Sequence, residues 1–202
     1  FHGGIHPVGQ GAITSEDLKN LLKWLRRHHR LLNASDFYDA ALAGNLSERD
    51  ICLTFDDSLL SQYELAAPVL ADEDVTAFYF VYSSAFTDNP DMLEVFRYFR
   101  STQYEDFDGF CEDFMTQAEL MFGHKVRTGL DGFKPEMYLK EYSFYSDNDR
   151  LFRYVRDHVL TSIEYESAMR ELIEKRDFRV DEALNVLFMK PSHLVNLRDN
   201  GN

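Results

Sequence analysis

The stretch Ile51 to Ser58, Ile-Cys-Leu-Thr-Phe-Asp-Asp-Ser, constrains the fold more than any other part of the chain. Ile51, Cys52, Leu53 and Phe55 form a short apolar run of strand character, as expected for a strand buried on both faces. The run stops at two adjacent carboxylates, Asp56 and Asp57. Leu59, Leu60, Tyr63, Ala67 and Leu70 then give a helical stripe, with Pro68 predicting a bend. A second nearly continuous apolar run, Val75 to Tyr82, follows. Strand, helix and strand over about 30 residues make a βαβ unit with parallel strands. This spacing puts Asp56 and Asp57 at the carboxyl end of a parallel strand, where α/β proteins place ligands. Like charges side by side there are costly unless something cationic balances them. A divalent metal against one carboxylate, with the other held as a base, meets that need. A pair of solvated turn aspartates is the plainer reading.

Upstream, Phe1 to Gly11 is a glycine-rich loop carrying His2, His6 and Pro7. The two histidines have the spacing of a metal pair on one helical face, but Gly3, Gly4 and Pro7 disfavour a helix there, so a loop or site-lining role is expected. Thr14-Ser15-Glu16-Asp17 is a helix start, and Leu18, Leu21, Leu22 and Leu25 supply its apolar face. Arg26, Arg27, His28 and His29 suit the negative end of that helix dipole. A short helix over 35–43 should end at Gly44.

After Ala85 the periodicity turns helical. Met92, Val95, Phe96 and Phe99 make one stripe, and Phe107, Phe110, Cys111, Phe114, Ala118 and Met121 another. Leu151, Tyr154, Val155, His158 and Val159 continue it, followed by Ala168, Leu172 and Ile173, then Leu184, Leu187 and Phe188. Breaks are expected at Phe122-Gly123 and from Gly129 to Pro135. The aromatic stripes suit either a cap over a glycan cleft or a packing appendage. His124, His158 and His193 each stand alone, without a partner at ligand spacing.

Thr54-Phe55-Asp56-Asp57-Ser58 resembles the first motif of the metal-dependent polysaccharide deacetylases, carbohydrate esterase family 4, which usually reads Thr-Phe-Asp-Asp-Gly. The segments over 13–25 and 61–84 resemble that family's early helix and the helix and strand after the motif, and Phe1-His2 its opening Tyr-His. The resemblance implies that Asp56 is the catalytic base and Asp57 a metal ligand, with His2, His6 and Ser58 lining the site. Ser58 stands where glycine is usual, so the turn is expected to avoid positive φ. The family's second motif, His-Ser/Thr-x-x-His, does not occur downstream of Asp57. The segment over 194–202 resembles the one that precedes it, so the sequence reads as truncated before that motif.

The implied fold is α/β, a partial, distorted (β/α) barrel with parallel strands plus a large all-helical insertion. Residues 1–84 would form the first part of the barrel, 85–190 the helical insertion, and 191–202 a return helix. The implied activity is hydrolysis of an N-acetyl group on a sugar of a bacterial surface polysaccharide, of the O-antigen type, or on its precursor. This is cleavage of a carbon–nitrogen bond in a linear amide. A divalent metal would be held by Asp57 and two histidines, a set that suits zinc, cobalt, nickel or iron. The 202 residues taken alone are expected to hold it weakly, with little or no activity.

Two other readings compete. One is a non-catalytic carbohydrate-binding or scaffold relative. The other is a magnesium-dependent phosphoryl-transfer protein, weakened because the second strand ends in Ser83-Ser84 without a lysine. A formal charge of −14 argues against nucleic acid as a partner. No stretch reaches the roughly 18 apolar residues of a membrane span, and no signal peptide is evident. Cys52 and Cys111 read as reduced, buried thiols, compatible with the cytoplasmic setting expected for the chain. The open edge of an incomplete barrel would favour oligomers.

Overall fold

A computed structural model describes residues 1–9 and 11–202. It corrects the fold expected from the sequence. The chain is about 60% helical, with only two short parallel two-stranded sheets among the described residues, and is not an α/β barrel. β1 (Arg30–Leu31) pairs with β2 (Asp50–Ile51), and β3 (Thr54–Phe55) pairs with β4 (Phe78–Tyr79). Neither apolar run is a strand throughout. Cys52 and Leu53 lie between two ladders, and in the second run only Phe78 and Tyr79 are laddered. A barrel needs every strand paired on both sides around a closed circuit. Sheets of two strands with two residues each cannot close one.

Contacts divide the chain into two compact units, Phe1–Asp91 with Glu182–Asn202, and Met92–Asp181. In the first unit, α1 (Ser15–His28) is set by a reciprocal cap, the Thr14 hydroxyl accepting from the Asp17 N–H while the Asp17 carboxylate accepts from the Thr14 N–H. Leu18 and Leu22 face the core, whereas Leu21 is exposed. α2 (Ala34–Leu42) links β1 to β2, and the chain leaves it through Gly44 at φ +68°, a conformation glycine adopts without a Cβ penalty. The Arg30 guanidinium forks onto the Asp50 carboxylate at 2.5 and 2.6 Å, tying the β1–β2 register from the side chains.

Between β3 and β4 the chain makes a π-helical turn, Gln62–Ala66, that runs into α3 (Ala67–Asp72). Pro68 explains the widened turn. It has no N–H to give, and its ring would crowd the carbonyl four residues back in a regular α-helix. Leu18, Leu22, Ala66, Val69, Leu70, Val75 and Ala77 form the core of this unit, with Phe55 and Tyr79 packed against it.

The second unit is helical throughout. α4 (Leu93–Gln103) buries Val95, Phe96 and Phe99, and α5 (Phe107–Gly129) buries Phe110, Cys111 and Phe114. α5 is kinked at Phe122, where φ is −131° and ψ 29°, and it ends at Gly129. α6 (Asp147–Tyr154) continues as a π-helical turn, Val155–Val159, and α7 (Ser162–Lys175) follows. Ser146 and Thr161 cap α6 and α7 reciprocally with Asp149 and Glu164. Phe110, Phe114 and Phe152 meet with ring centres 4.9 to 6.0 Å apart, mostly edge to face. α8 (Val180–Leu187) carries the chain back, and α9 (Pro191–Asp199) completes the first unit. No described helix is long and apolar enough to cross a membrane.

Candidate functional site

The site is built on the end of β3. Thr54 and Phe55 are in register with Phe78 and Tyr79, and the Phe80 N–H donates to the Phe55 carbonyl at 2.7 Å. The ladder stops there and the chain turns through Asp56, Asp57 and Ser58. Asp57 and Ser58 both occupy the left-handed region, at φ +71° and +57°. The expectation that serine would keep this turn out of positive φ is therefore wrong. The conformation costs roughly 1–2 kcal/mol per residue without glycine, and survives only where surrounding bonds over-determine it.

Those bonds are present. The buried Ser58 hydroxyl accepts from the Tyr82 N–H at 3.0 Å, and the Ser58 carbonyl accepts from the Met189 N–H at 2.8 Å. Leu59 and Phe188 form an antiparallel bridge beside it. The buried Gln62 amide closes the turn from below, donating to the Asp56 carbonyl at 2.6 Å and accepting from the Leu59 N–H at 3.2 Å. Backbone and neighbours thus fix the turn while leaving its carboxylates free. Asp56 is exposed and Asp57 half-buried, and among the described residues neither carboxylate takes a hydrogen bond or an ion pair.

Ser58 is itself part of the turn, buried there as a structural acceptor. Among the described residues neither histidine candidate is bonded to the turn. His2 is half-buried and gives its N–H to the Ile13 carbonyl at 3.1 Å. His6 is buried in a tight bridge with Gly3, and its Nε2 lies 2.8 Å from the Glu64 carboxylate on the π-helical turn. Glu64 thereby engages one of the His6 ring nitrogens.

His193 is not a free surface residue. Its ring stacks on Tyr63 at 4.3 Å with planes 7° apart, and its Nδ1 accepts from the Lys190 N–H at 3.2 Å. An accepting Nδ1 leaves the proton of the neutral ring on Nε2, so neither nitrogen offers a lone pair to a metal. The Tyr63 hydroxyl reaches Asn196 Oδ1 at 3.1 Å, which ties α9 to the helix that follows the motif.

Among the described residues no group of three or more His, Cys, Asp or Glu side chains could hold a metal ion. The adjacent carboxylates could supply ligands, but they do not make a complete set. Cys52 and Cys111 are both free thiols, and burial pushes Cys111 up to about 11 and Cys52 upward as well. Neither is poised as a nucleophile.

Sequence reasoning missed Gln62, Glu64 and the Phe188–Met189 segment. Gln62 left a signal, a polar residue three after Leu59 on an otherwise apolar helical stripe. Met189 left none, because its pairing partner is remote in sequence. No protein-family model, curated protein or solved structure matches this chain.

Proposed function

We propose that the Asp56–Asp57 turn belongs to a metal-dependent hydrolase that removes N-acetyl groups from a sugar of a bacterial surface polysaccharide or its precursor. Asp56 would be the proton acceptor of that hydrolase, and Asp57 would supply one carboxylate ligand to a divalent metal, zinc or else cobalt, nickel or iron. The observation that carries this reading is the pair of unengaged carboxylates on a braced, strained turn at the end of a parallel strand. Strain of this kind gathers at functional turns, and a rigid turn holds an acceptor in one place.

The described residues do not fit a complete metal centre. A single carboxylate retains a divalent ion weakly, and two further ligands are needed for hydrolysis at neutral pH.

The same observation gives weight to a second reading, a non-catalytic carbohydrate-binding relative. Titration of an N-acetylated amino-sugar oligosaccharide, with and without zinc and followed at the backbone amides, separates the two. The hydrolase reading expects zinc-dependent shifts at Asp56, Asp57 and Ser58 that Asp57→Ala abolishes. Sugar binding that ignores both zinc and Asp57→Ala assigns the chain to the binding class instead.

A further inference from the structure

In a chain with a formal charge of −14, arginines without acidic partners call for an explanation. The helical unit holds two of them, within a larger pattern. Arg97 and Arg100 stand three apart on α4, and Arg153 and Arg156 stand three apart across the end of α6 and the π-helical turn that extends it. This spacing puts each pair on one helix face.

One arginine of each pair, Arg100 and Arg156, meets the same aromatic wall. The Arg100 guanidinium carbon lies 5.2 Å from the centre of the Phe107 ring and 5.8 Å from that of Phe110. That of Arg156 lies 5.6 Å from Phe152, whose ring is 5.7 Å from Phe107 and 5.2 Å from Phe110. Tyr165 of α7 joins the group 5.8 Å from Phe96 and 6.2 Å from Phe152.

The outer arginines are neutralised locally, Arg97 by Glu94 at 2.5 Å and Arg156 by Asp157 at 2.6 Å. The inner two are not. Among the described residues neither Arg100 nor Arg153 makes an ion pair or a hydrogen bond, and Arg153 Nε is buried without a partner. Arg153 stacks instead on Tyr145, 4.1 Å from its ring centre. Asp149 is the nearby carboxylate, but its Oδ2 is committed to the Ser146 N–H and hydroxyl, and its Oδ1 is buried without a partner. Burial lowers the Arg100 pKa first, and the neighbouring Arg153 and Arg97 lower it further, against the opposing pull of Tyr165 and Asp149. Burial likewise pushes Tyr165 up to about 12, against the pull of Arg156, Arg100 and Arg97.

Stacking occupies the face of a guanidinium, and although Arg153 Nε is buried, its terminal N–H groups and those of Arg100 are not among the buried unpartnered atoms. We propose that Arg100 and Arg153, flanked by Arg97 and Arg156, form a recognition site for a compact oxyanion, the phosphoryl or carboxylate group of a small ligand. Guanidinium edges bind such groups in a two-pronged fashion, and partial desolvation strengthens each bond. The site lies wholly within the helical unit and does not depend on the reading of Asp56 and Asp57.

The test titrates inorganic phosphate, and separately acetate, into the 202-residue protein at an ionic strength held constant with chloride. The arginine Nε–Hε resonances report binding. The site predicts saturable shifts at Arg100 and Arg153 and not at the exposed Arg127 and Arg170. The anion that saturates at the lower concentration distinguishes phosphoryl from carboxylate recognition. Arg153→Gln is expected to weaken binding by about tenfold, the loss of one charge-assisted contact. Should that variant fail to fold, Arg153→Lys keeps the charge, removes the fork and carries the same expectation. Shifts that grow linearly at all arginines alike, or saturable binding unchanged in either variant, would overturn the proposal.

Discussion

The Met189 N–H donates to the Ser58 carbonyl at 2.8 Å, so the segment that returns from the helical unit is bonded to the turn that presents Asp56 and Asp57. The turn is therefore not a local motif held by its own strand. It is completed by chain that arrives after the whole helical region has been traversed. Its strained backbone is balanced by donors from the loop after β4, through Tyr82, and from that return segment.

Ser58 measures this balance. Ser58→Gly relieves a left-handed serine but removes the acceptor for the Tyr82 N–H, and Ser58→Ala loses the acceptor while keeping the strain. The expected order of stability is wild type, then glycine, then alanine. The alanine variant should lose about 2 kcal/mol and the glycine variant about 1 kcal/mol or less. Urea midpoints at constant m-value read the order directly. An alanine variant as stable as wild type would show that the hydroxyl does not brace the turn.

Gln62 serves the same turn from inside. Gln62→Leu removes the donor to the Asp56 carbonyl and the acceptor of the Leu59 N–H, and should cost about 2–3 kcal/mol. Gln62→Glu keeps one oxygen for Leu59 but turns the other against the Asp56 carbonyl. It should be destabilised at neutral pH and recover as its carboxylate is protonated. Chemical denaturation at pH 7 and pH 4 checks the reversal.

In the helical unit, Gly129 is required by close approach. A Cβ there would lie 2.7 Å from both methyl carbons of Val159. Gly129→Ala should destabilise by about 1–3 kcal/mol, the usual cost of overpacking. Val159→Ala in the same chain should recover part of that loss. Non-additivity in the double-mutant cycle is the diagnostic result.

Glu164 fixes a pH window for α7. Its carboxylate is held down to about 2 from an ordinary 4.5, first by Lys125 and then by the N–H and hydroxyl of Thr161. A depressed folded-state pKa stabilises above the unfolded value and is lost as pH falls through the folded one. The advantage of wild type over Glu164→Gln should thus be present at neutral pH and fade between about pH 4.5 and 2. Urea midpoints of both proteins across that range test it, and a constant difference would contradict it.

Helices were legible in the sequence where their signals are local. The cap at Thr14, and the stripes through Phe99 and Phe114, each lie within a few residues of what they determine, whereas the equally local caps at Ser146 and Thr161 were passed over. Strands were not. The apolar runs 51–55 and 75–82 are hydrophobic enough to be strands throughout, but pairing needs a neighbour that periodicity does not reveal, and only two residues of the second run found one. The barrel reading failed for that reason. Asp56 and Asp57 were legible as a strand end, because a carboxylate pair stops an apolar run whatever lies around it. The left-handed Ser58 was misjudged because its compensating donors, Tyr82 and Met189, come from elsewhere in the chain.

Asp57 is proposed as a cation ligand beside an unengaged Asp56. The most direct measurement is manganese-induced broadening of backbone amide resonances, recorded for wild type and Asp57→Ala under the same conditions. Weak, saturable broadening centred on Asp56, Asp57 and Ser58 that disappears in the variant is the expected result. Broadening absent from this turn, or spread over the acidic surface and unchanged by Asp57→Ala, would contradict it.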